Sequence, residues 1–491
     1  MEAWSKDIPK QILEFCKIQV IAKREAVLIF NRLDEADIGE FRSMVSSDRF
    51  STGESNLDLH SRDQSRHRGI PPEAVIWPIE QSEVSEILRY ANRRLIPIIA
   101  WGSGSSLEGN PVPAQGGVVL DFSRMNRVLE VRDEDFQADI EPGVIYQDLN
   151  ESLRHKGLFF PPDPGARATI GGMIANNASG TRTVRYGATK DNILKLTVVL
   201  ANGEVIETGT RASKTSSGYD LIHLFTGSEG TLGVVTKATV RLVGLPVEFS
   251  AAIATFPHVE AAARAVFEII RSGCEPAFLE LLAPECIELI NNEMCLVLNP
   301  SPTLFMEFHG ITEDQPAEIL GMVEYICEDQ GCEEFRSGLG RDERGRLLKA
   351  RHDMAEMIRR NHPDCSPMVT DVAVPLTAYS RMIALARKEA HESDIPGYIF
   401  SHAGDGNIHL HFEGKSGDEK VWQTIDRINE HIVSEALKAG GTATGEHGVG
   451  MGKRRFMEQE HGSSLIWMRQ IKQMFDPNGI LNPGKIFLDG E

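Results

Sequence analysis

The sequence predicts an α+β fold with a ligand-binding first part and a separate second part. Three observations lead to this prediction. Loops rich in Gly, Ser and Asn follow strand-like segments in the first half of the chain. An Asn202-Gly203 turn between two apolar runs is the strongest local signal of a β-hairpin. After Pro246, strand-like and helix-like segments alternate as in a ferredoxin-like α+β unit rather than a doubly wound sheet.

The bulk composition is that of a soluble globular protein with room for two or three domains. Of the 491 residues, 41% are hydrophobic and 25% are charged. No apolar run approaches the length of a membrane span, and the first residues resemble neither a secretory signal nor a transit peptide. We therefore expect a cytoplasmic protein without a membrane span, with peripheral binding to the inner membrane as an open alternative.

The charge and the cysteines narrow the class of protein further. The net charge of −20 argues against nucleic acid as a partner, because a binder of phosphates needs a basic face. The seven cysteines are scattered and form no iron–sulfur run. We expect reduced, mostly buried thiols, as in a reducing compartment.

Four segments are expected along the chain. Residues 1–67 should form a helical segment, and a loop-rich domain should follow over residues 68–245. A second domain is expected over residues 246–460, and a turn-rich segment over residues 461–491 should return to the first domain. The apolar positions of the first segment are Ile12, Phe15, Ile18 and Val20.

The first Gly-rich loop, Gly102 to Gly109, follows a strand-like run. It offers the start of a dinucleotide-binding fingerprint, with Asp121 at the expected distance. That interpretation fails, because Leu107 replaces the third glycine and Pro111 and Pro113 forbid the helix that must follow. The loop's N–H and hydroxyl groups can still wrap a pyrophosphate without a helix dipole. An ordinary surface turn is the alternative.

Two further loops are expected to approach a flat ligand. In the run from Thr169 to Gly180, glycines allow close approach of the backbone, and asparagine amides supply hydrogen bonds. The run from Gly227 to Thr236 is also Gly-rich and ends in a strand. Together the three loops indicate one extended ligand.

Two histidines, His402 and His409, lie seven positions apart across a Gly-Asp-Gly turn. The glycines argue against a continuous helix, so we expect a loop that enters a strand at Ile408–Phe412, with His409 and His411 on one face. Glu446 occurs in a second Gly-flanked run. Two imidazoles and a carboxylate suit Zn²⁺, Mn²⁺ or Fe²⁺ with room left for substrate. The alternative is that the histidines only satisfy backbone groups in a tight loop.

Taken in order, the loops resemble the FAD domain of the vanillyl-alcohol-oxidase and p-cresol-methylhydroxylase (PCMH) superfamily over residues 68–245. The resemblance implies two α+β subdomains that hold an extended FAD between them. Some relatives attach FAD through a histidine in the first loop, which has none here, so non-covalent FAD is expected. The implied cofactor-binding residues are Gly102, Ser103, Gly104, Ser105, Ser106, Leu107, Asp163, Pro164, Thr169, Gly171, Gly172, Asn176, Asn177, Gly180, Tyr186, Gly187, Glu229, Gly233, Val235 and Asn482.

The chain beyond residue 246 resembles the FAD-linked D-2-hydroxyacid dehydrogenases. These include cytochrome-linked D-lactate dehydrogenase, the glycolate oxidase flavin subunit and D-2-hydroxyglutarate dehydrogenase. The resemblance rests on three runs, residues 402–409, 445–450 and 482–485. It implies a ferredoxin-like α+β cap domain that binds substrate.

The same resemblance implies roles for five residues. His402, His409 and Glu446 would bind a divalent metal, with zinc favoured and manganese or iron as alternatives. His447 would take the hydroxyl proton while hydride leaves to FAD, and Arg351 would clamp the substrate carboxylate. The alternatives are that His447 only supports Glu446 and that Arg351 lies on a solvated helix face. His411 is expected to support the site or the core.

The expected substrate is a small D-2-hydroxy acid such as D-lactate. The hydroxyglutarate branch carries a lysine for the distal carboxylate where this chain has Val369, although glycolate and D-2-hydroxyglutarate stay open as alternatives. An alkyl-glycerone-phosphate-synthase-like transferase and a non-catalytic flavin subunit are weaker hypotheses. The electron acceptor is expected to be a quinone, a cytochrome, an electron-transfer flavoprotein or an iron–sulfur subunit, and a homodimer is compatible with the sequence.

Overall fold

The computed structural model describes residues 30–488 except residues 313, 339 and 340. The predicted helical segment around Ile12 to Val20 lies outside the described residues. The predicted α+β class is confirmed, since helices and sheets alternate through both halves of the chain.

The first half contains two main sheets. In spatial order the strands of a mixed four-stranded sheet are Phe50–Ser51, Ala74–Ile76, Val118–Asp121 and Ile98–Trp101. Those of an antiparallel five-stranded sheet are Val128–Arg132, Gln137–Ile140, Val234–Arg241, Ile193–Val199 and Val205–Gly209. A short pair joins Leu158–Phe159 to Val243–Gly244. The helices are Glu35–Ser43, Glu54–Leu59, Gln81–Arg94, Tyr146–Leu153, Ile170–Asn176, Thr183–Tyr186 and Leu221–Phe225.

The turn at Asn202-Gly203 forms the predicted hairpin. Ile193–Val199 pairs antiparallel with Val205–Gly209, and the Gly203 N–H donates to the carbonyl of Leu200 at 2.8 Å. The run after Thr169 differs from the prediction, because it is a helix, Ile170–Asn176, rather than a loop. The Thr169 hydroxyl caps that helix by accepting from the N–H of Gly172 at 3.2 Å.

The second half contains one sheet of eight strands in which all pairs are antiparallel. In spatial order the strands are Glu334–Ser337, Glu248–Thr255, Thr303–Gly310, Phe278–Leu282, Gly397–His402, Asn407–Lys415 and Cys365–Val369, with Val372–Ala373 also beside Asn407–Lys415. The helices are Val259–Arg271, Pro284–Met294, Asp314–Asp329, Arg341–His352, Met354–Asn361, Leu376–Glu392 and Glu419–Lys438, followed by Met457–His461 and Ser464–Phe475.

This strand order is that of two ferredoxin-like units joined edge to edge. The first four strands of the sheet follow the fourth–first–third–second order of a β-α-β-β-α-β unit. The remaining strands read second–third–first, which is the same order in reverse and without the fourth strand. The two units meet where Phe278–Leu282 pairs with Gly397–His402. The structure therefore contains an internal repeat that is not visible in the sequence.

Alternation along these central strands divides the sheet into two faces. Leu279 and Leu281 belong to the large hydrophobic core beneath the helices, whereas Glu280 lies opposite His402 in the pairing and faces the other way. The C-terminal segment returns to the first half, where the Asn482 N–H donates to the carbonyl of Ile98 at 2.9 Å. Within the described ranges, no helix has both the length and the apolar character needed to cross a membrane.

Candidate active site

A tight hairpin brings the two histidines of the first motif together. Strand Gly397–His402 turns through Ala403–Asp405 into strand Asn407–Lys415. Gly406 has a φ of +70°, and a Cβ there would lie 2.2 Å from the carbonyl oxygen of Val374, so the turn requires glycine. The turn sets the register in which His402 and His409 share one face of the sheet.

Both imidazoles point their Nε2 atoms at one oxygen of Glu446. The distances from Nε2 of His402 and from Nε2 of His409 to Glu446 Oε1 are each 3.2 Å. The other carboxylate oxygen of Glu446 accepts from the hydroxyl of Ser179 at 3.0 Å. The three predicted metal-binding residues thus lie together in the structure.

The opposite ring nitrogens are held by hydrogen-bond acceptors. Nδ1 of His402 lies 2.6 Å from Glu280 Oε1, and Nδ1 of His409 lies 3.3 Å from the carbonyl oxygen of Thr370. Because these oxygens can only accept, each Nδ1 carries the hydrogen and each Nε2 presents a lone pair in the neutral ring. Lone pairs of two imidazoles and a carboxylate then face one another across a short gap.

The charges of the cluster show that it favours a cation. Burial lowers the pKa of His402, but the carboxylates of Glu280 and Glu446 outweigh it and raise that pKa to about 10. Burial raises the pKa of Glu446, yet His402 and His409 hold it well below its usual range. Positive charge between these groups is therefore strongly stabilised.

Asp371 organises the loop that carries Glu446, and sequence reasoning missed it. Its Oδ2 accepts from the N–H of Glu446 at 2.9 Å, the N–H of His447 at 2.8 Å and the Thr444 hydroxyl at 2.8 Å. Its Oδ1 accepts from the side-chain amide of Asn407 at 2.8 Å. A buried acid inside the apolar run around it was the only signal for this role.

Asp371 also belongs to an alternative metal set. Potential ligand atoms of Asp371, His409, Glu446 and His447 all lie within 4.8 Å of one another. The oxygens of Asp371 are already occupied by N–H and O–H donors, which a metal ligand would have to release. We therefore favour His402 over Asp371 as the ligand that accompanies His409 and Glu446.

His447 lies beside the cluster as a neutral imidazole. Its ring stacks on His409 with 5.2 Å between centroids, and Nε2 lies 4.0 Å from Glu446 Oε1. Burial lowers the pKa of His447 to about 4, although Asp371 opposes that shift. A neutral ring can accept a proton from a bound molecule.

Arg351 is buried rather than on a solvated helix face. It belongs to helix Arg341–His352, and its Nε donates to Glu280 Oε2 at 2.5 Å. Its guanidinium carbon lies 4.8 Å from the centre of the Phe400 ring. Glu280, fully buried and also missed from the sequence, thus joins Arg351 to His402.

One cavity of about 540 Å³ brings the predicted catalytic and metal-binding residues to a common wall. Its lining includes Arg351, His402, His409, Glu446 and His447.

A neighbouring cleft also reaches Glu446 and His447. Most of the predicted cofactor-binding residues line it. They are Gly102, Ser103, Gly104, Ser105, Ser106, Leu107, Pro164, Thr169, Gly172, Asn176, Glu229 and Asn482.

Two further openings adjoin this cleft. One is lined by Gly171, Gly233 and Val235, and the other is lined by Asn177. Glu229 is less available than the loop residues, because its carboxylate accepts from the N–H groups of Val449 and Gly450 at 2.6 and 2.9 Å.

Four predicted cofactor-binding residues line none of these four spaces: Asp163, Gly180, Tyr186 and Gly187. Asp163 accepts from the hydroxyl of Tyr146 at 2.7 Å, and a Cβ at Gly180 would lie 1.9 Å from the Asp163 carbonyl oxygen. The Tyr186 hydroxyl lies 2.8 Å from Nδ1 of His309. Their contacts shape the chain around the cleft.

Two family models match the chain. Residues 72–209 match an FAD binding domain, and residues 245–486 match the C-terminal domain of FAD linked oxidases. Together these matches span most of the chain.

Curated relatives match over nearly the full length. The chain is 38% identical to a probable mitochondrial D-lactate dehydrogenase of Danio rerio, and the match covers 92% of each chain. It is 38% identical to a mitochondrial D-lactate dehydrogenase [cytochrome] of Arabidopsis thaliana, over 90% of this chain and 78% of the relative. It is 35% identical to glycolate oxidase subunit GlcD of Bacillus subtilis, over 92% of this chain and 97% of the relative.

Solved structures confirm the predicted fold. The 4-ethylphenol oxidase of Gulosibacter chungangensis superposes with a TM-score of 0.75 at 21% identity, covering 92% of this chain and 96% of that one. The p-cresol methylhydroxylase superposes with a TM-score of 0.74 at 17% identity and the same coverage. With the family models and the relatives, these likenesses show that the chain belongs to the FAD-linked oxidases with a PCMH-type FAD-binding domain.

Proposed function

We propose that this protein oxidises a D-2-hydroxy acid, D-lactate or a homologue, to the 2-oxo acid, with FAD as hydride acceptor and a divalent metal as aid. One observation carries the proposal. Nε2 of His402 and Nε2 of His409 converge on one oxygen of Glu446, in a cavity that also contains Arg351 and His447.

The first half of the chain fits a non-covalently bound FAD. The cleft beside the catalytic cavity is lined by small residues of the loop Gly102–Leu107, whose N–H and hydroxyl groups suit a pyrophosphate. The cleft also reaches Glu446 and His447, so a flavin in it would adjoin the acid-binding cavity. We propose that residues 68–245 hold the cofactor, residues 246–460 hold substrate and metal, and residues 461–491 complete the cleft through Asn482.

The donor set fits a divalent metal. With Nδ1 of each ring bound to an acceptor, Nε2 of His402 and Nε2 of His409 face the carboxylate of Glu446, and a proton or a metal ion between these atoms is stabilised there. Zinc suits two imidazoles and one carboxylate with a position left open, and manganese or iron is the alternative.

The chain's own residues would perform the remaining tasks. The cofactors supply a hydride acceptor and a Lewis acid that acidifies the substrate hydroxyl. Arg351 would orient the carboxylate of the acid, and Glu280 would hold that guanidinium in place. His447 would take the hydroxyl proton at Nε2, since its Nδ1 is buried and has no hydrogen-bond partner in the described part of the chain.

The choice of acid and of electron acceptor rests on relatives. Two of the relatives above are named as D-lactate dehydrogenases, which favours D-lactate, and the GlcD relative makes glycolate the second candidate. The Arabidopsis relative is named with a cytochrome, which supports an acceptor other than NAD. A quinone, an electron-transfer flavoprotein or an iron–sulfur subunit would serve equally as the electron acceptor. If the acceptor lies in a membrane, the protein would bind at the membrane surface.

Anaerobic mixing tests this function. The purified holoenzyme is mixed with D-lactate, L-lactate, glycolate or D-2-hydroxyglutarate while the flavin absorbance is recorded. We expect bleaching with D-lactate or a longer D-homologue, and its loss after chelation. If none of the 2-hydroxy acids bleaches the flavin, the proposed dehydrogenase activity is wrong.

A separate variant tests whether His402 and His409 bind a metal. A double variant, His402→Ala with His409→Ala, should lose both bound metal and bleaching. Exposed His431→Ala serves as the matched control, since among the described residues that ring hydrogen-bonds to Glu389 and to none of the cluster residues. Bleaching retained in the double variant would disprove the role of the metal.

A further inference from the structure

His411 and Glu413 form a buried polar pair that the proposed mechanism does not use. Both are almost fully buried, at 2% and 3% exposure. They lie on strand Asn407–Lys415, two and four positions beyond His409, and therefore share its face of the sheet. Nε2 of His411 lies 2.9 Å from Glu413 Oε1.

The pair is incompletely satisfied. Among the described residues, neither Nδ1 of His411 nor Oε2 of Glu413 has a hydrogen-bond partner. Buried polar atoms without partners are rare and costly, and each one in a native structure requires an explanation. A bound molecule that supplies the missing partner is such an explanation.

His411 lines the same cavity as the catalytic cluster. Its neighbours across the sheet are Val369 on one side and Tyr398 on the other, and Val369 lines the cavity as well. This row of residues is the next one along the sheet from the row that contains His409. It forms part of the wall that a substrate side chain would meet beyond the metal.

We propose that His411 binds the side chain of the substrate and that the preferred acid carries a terminal hydroxyl group. This inference rests on the proposed function and specifies its substrate class. The substrate would be a D-2-hydroxy acid longer than lactate, with a hydroxyl at carbon 4 or 5.

The hydrogen bond within the pair determines which chemistry fits. A carboxylate can only accept, so Nε2 of His411 donates to Glu413, and Nδ1 of the neutral ring is an acceptor. The ligand group must therefore be a donor. The carboxyl group of Glu413 disfavours a distal carboxylate on the ligand. Charged residues of both signs line the cavity, Arg167, Arg351 and Arg359 with Asp353 and Glu356, so the wall does not select an ammonium group. A neutral hydroxyl remains.

The spacing between His409 and His411 along the strand agrees with an acid longer than lactate. Residues two apart on a strand are separated by about 6.7 Å, at about 3.35 Å per residue. A hydrogen bond covers about 2.8 Å of this distance. The remainder, about 4 Å, corresponds to about three bonds of about 1.5 Å, whereas the methyl group of lactate extends only one bond beyond carbon 2.

A pair of isosteric acids tests the inference. Anaerobic flavin reduction by the holoenzyme is measured with D-2,4-dihydroxybutanoate and with D-2-hydroxypentanoate, in which a methyl group replaces the terminal hydroxyl, and with D-2,5-dihydroxypentanoate and D-lactate. We expect kcat/KM for the best dihydroxy acid to exceed that for the methyl isostere at least about tenfold.

The variants locate the effect at His411. In His411→Leu the ratio of kcat/KM values should fall to about one, and in His411→Gln, which keeps an acceptor oxygen, it should recover in part. Exposed His391→Leu, on helix Leu376–Glu392, is the matched control and should keep the ratio of the unmodified protein. Because the readout is a ratio between two substrates, reduced folding of a variant does not change it.

The possible failures are distinct. If D-lactate bleaches the flavin but the dihydroxy acids have no advantage over the methyl isostere, the inference about His411 is wrong and the proposed function stands. An advantage that persists in His411→Leu also contradicts it. If no acid bleaches the flavin, the proposed function fails and this inference fails with it.

Discussion

The large sheet carries two clusters of the same composition, which differ in the group that meets the second ring nitrogen of the histidine. In the first, Glu307 joins His309 to Arg344, and in the second, Glu280 joins His402 to Arg351. Both arginines come from one helix, Arg341–His352, and both carboxylates are buried.

The difference lies in what each histidine does with its second nitrogen. The other nitrogen of His309 meets the hydroxyl of Tyr186 at 2.8 Å, so that cluster is complete and ties the two halves of the chain together. The other nitrogen of His402 faces a carboxylate oxygen of Glu446. Residue types alone therefore do not mark a site, because a site also needs one coordination position left for a ligand.

The largest expected effect comes from removing the carboxylate of Glu446. Glu446→Gln keeps the shape of the side chain and removes its charge, so the proposed metal would lose its carboxylate ligand. We expect metal content near zero and a fall in kcat/KM of at least about a thousandfold, in line with losing a preorganised charge at the reacting atoms. Elemental analysis and anaerobic flavin reduction measure both. Full metal occupancy in this variant would show that the cation is held elsewhere.

The next largest effect is expected at Glu280, whose carboxylate orients His402. Glu280→Gln weakens the support of His402 and Arg351 together. We expect metal affinity to fall about 10- to 100-fold, which is the usual cost of losing such a partner, and KM for the acid to rise. Chelator competition measures affinity without turnover, and Glu280→Asp should restore part of it. A change in thermal stability alone, with affinity and KM unaltered, would limit Glu280 to a structural role.

The cluster of Glu307, His309 and Arg344 should affect the stability of the fold rather than metal binding. Burial raises the pKa of Glu307, but His309 and Arg344 outweigh it and lower the pKa to about 2 from 4.5. This stabilisation is present above about pH 4.5 and is lost as the pH falls towards 2, and it amounts to about 3 kcal/mol. Denaturant unfolding between pH 5 and pH 3 should show a shallower loss in Glu307→Gln than in the unmodified protein. Equal slopes would contradict the assignment.

The smallest effect is expected at Tyr186, where one variant distinguishes a role in stability, through His309, from a role in FAD binding. Tyr186→Phe removes its hydrogen bond to His309 and should lower the free energy of unfolding by about 1 kcal/mol. FAD affinity, measured by fluorescence titration of the apoprotein, should stay the same if the contact with His309 is the whole role. A drop in affinity would instead return Tyr186 to the cofactor, as the family resemblance implies.

The sequence predicted those parts of the site that are local. His402 and His409 flank one hairpin, and Glu446 and His447 are adjacent, so short motifs were enough to single them out. The α+β class and the hairpin at Asn202-Gly203 were predicted for the same reason. The assignment of roles to these residues stays a prediction until the variants are measured.

What the sequence did not predict depends on pairing between distant strands. Glu280 and Asp371 are single acids in apolar runs, and their importance arises only from the register that brings them to His402 and to the Glu446 loop. The same limit hid the repeated ferredoxin-like unit, since strand order is a property of the sheet. The helix after Thr169 was missed because its cap competes with two glycines that favour a loop.

The edge-to-edge joining of the two units has a consequence for how the protein becomes active. Glu280 and His402 are 122 residues apart and meet at the seam between the units. Pairs this distant form late, because the chain between them must be ordered before the contact compensates for the entropy lost. A chain with only one unit folded would therefore lack the proposed metal site, and uptake of metal during refolding would report the moment at which the seam closes.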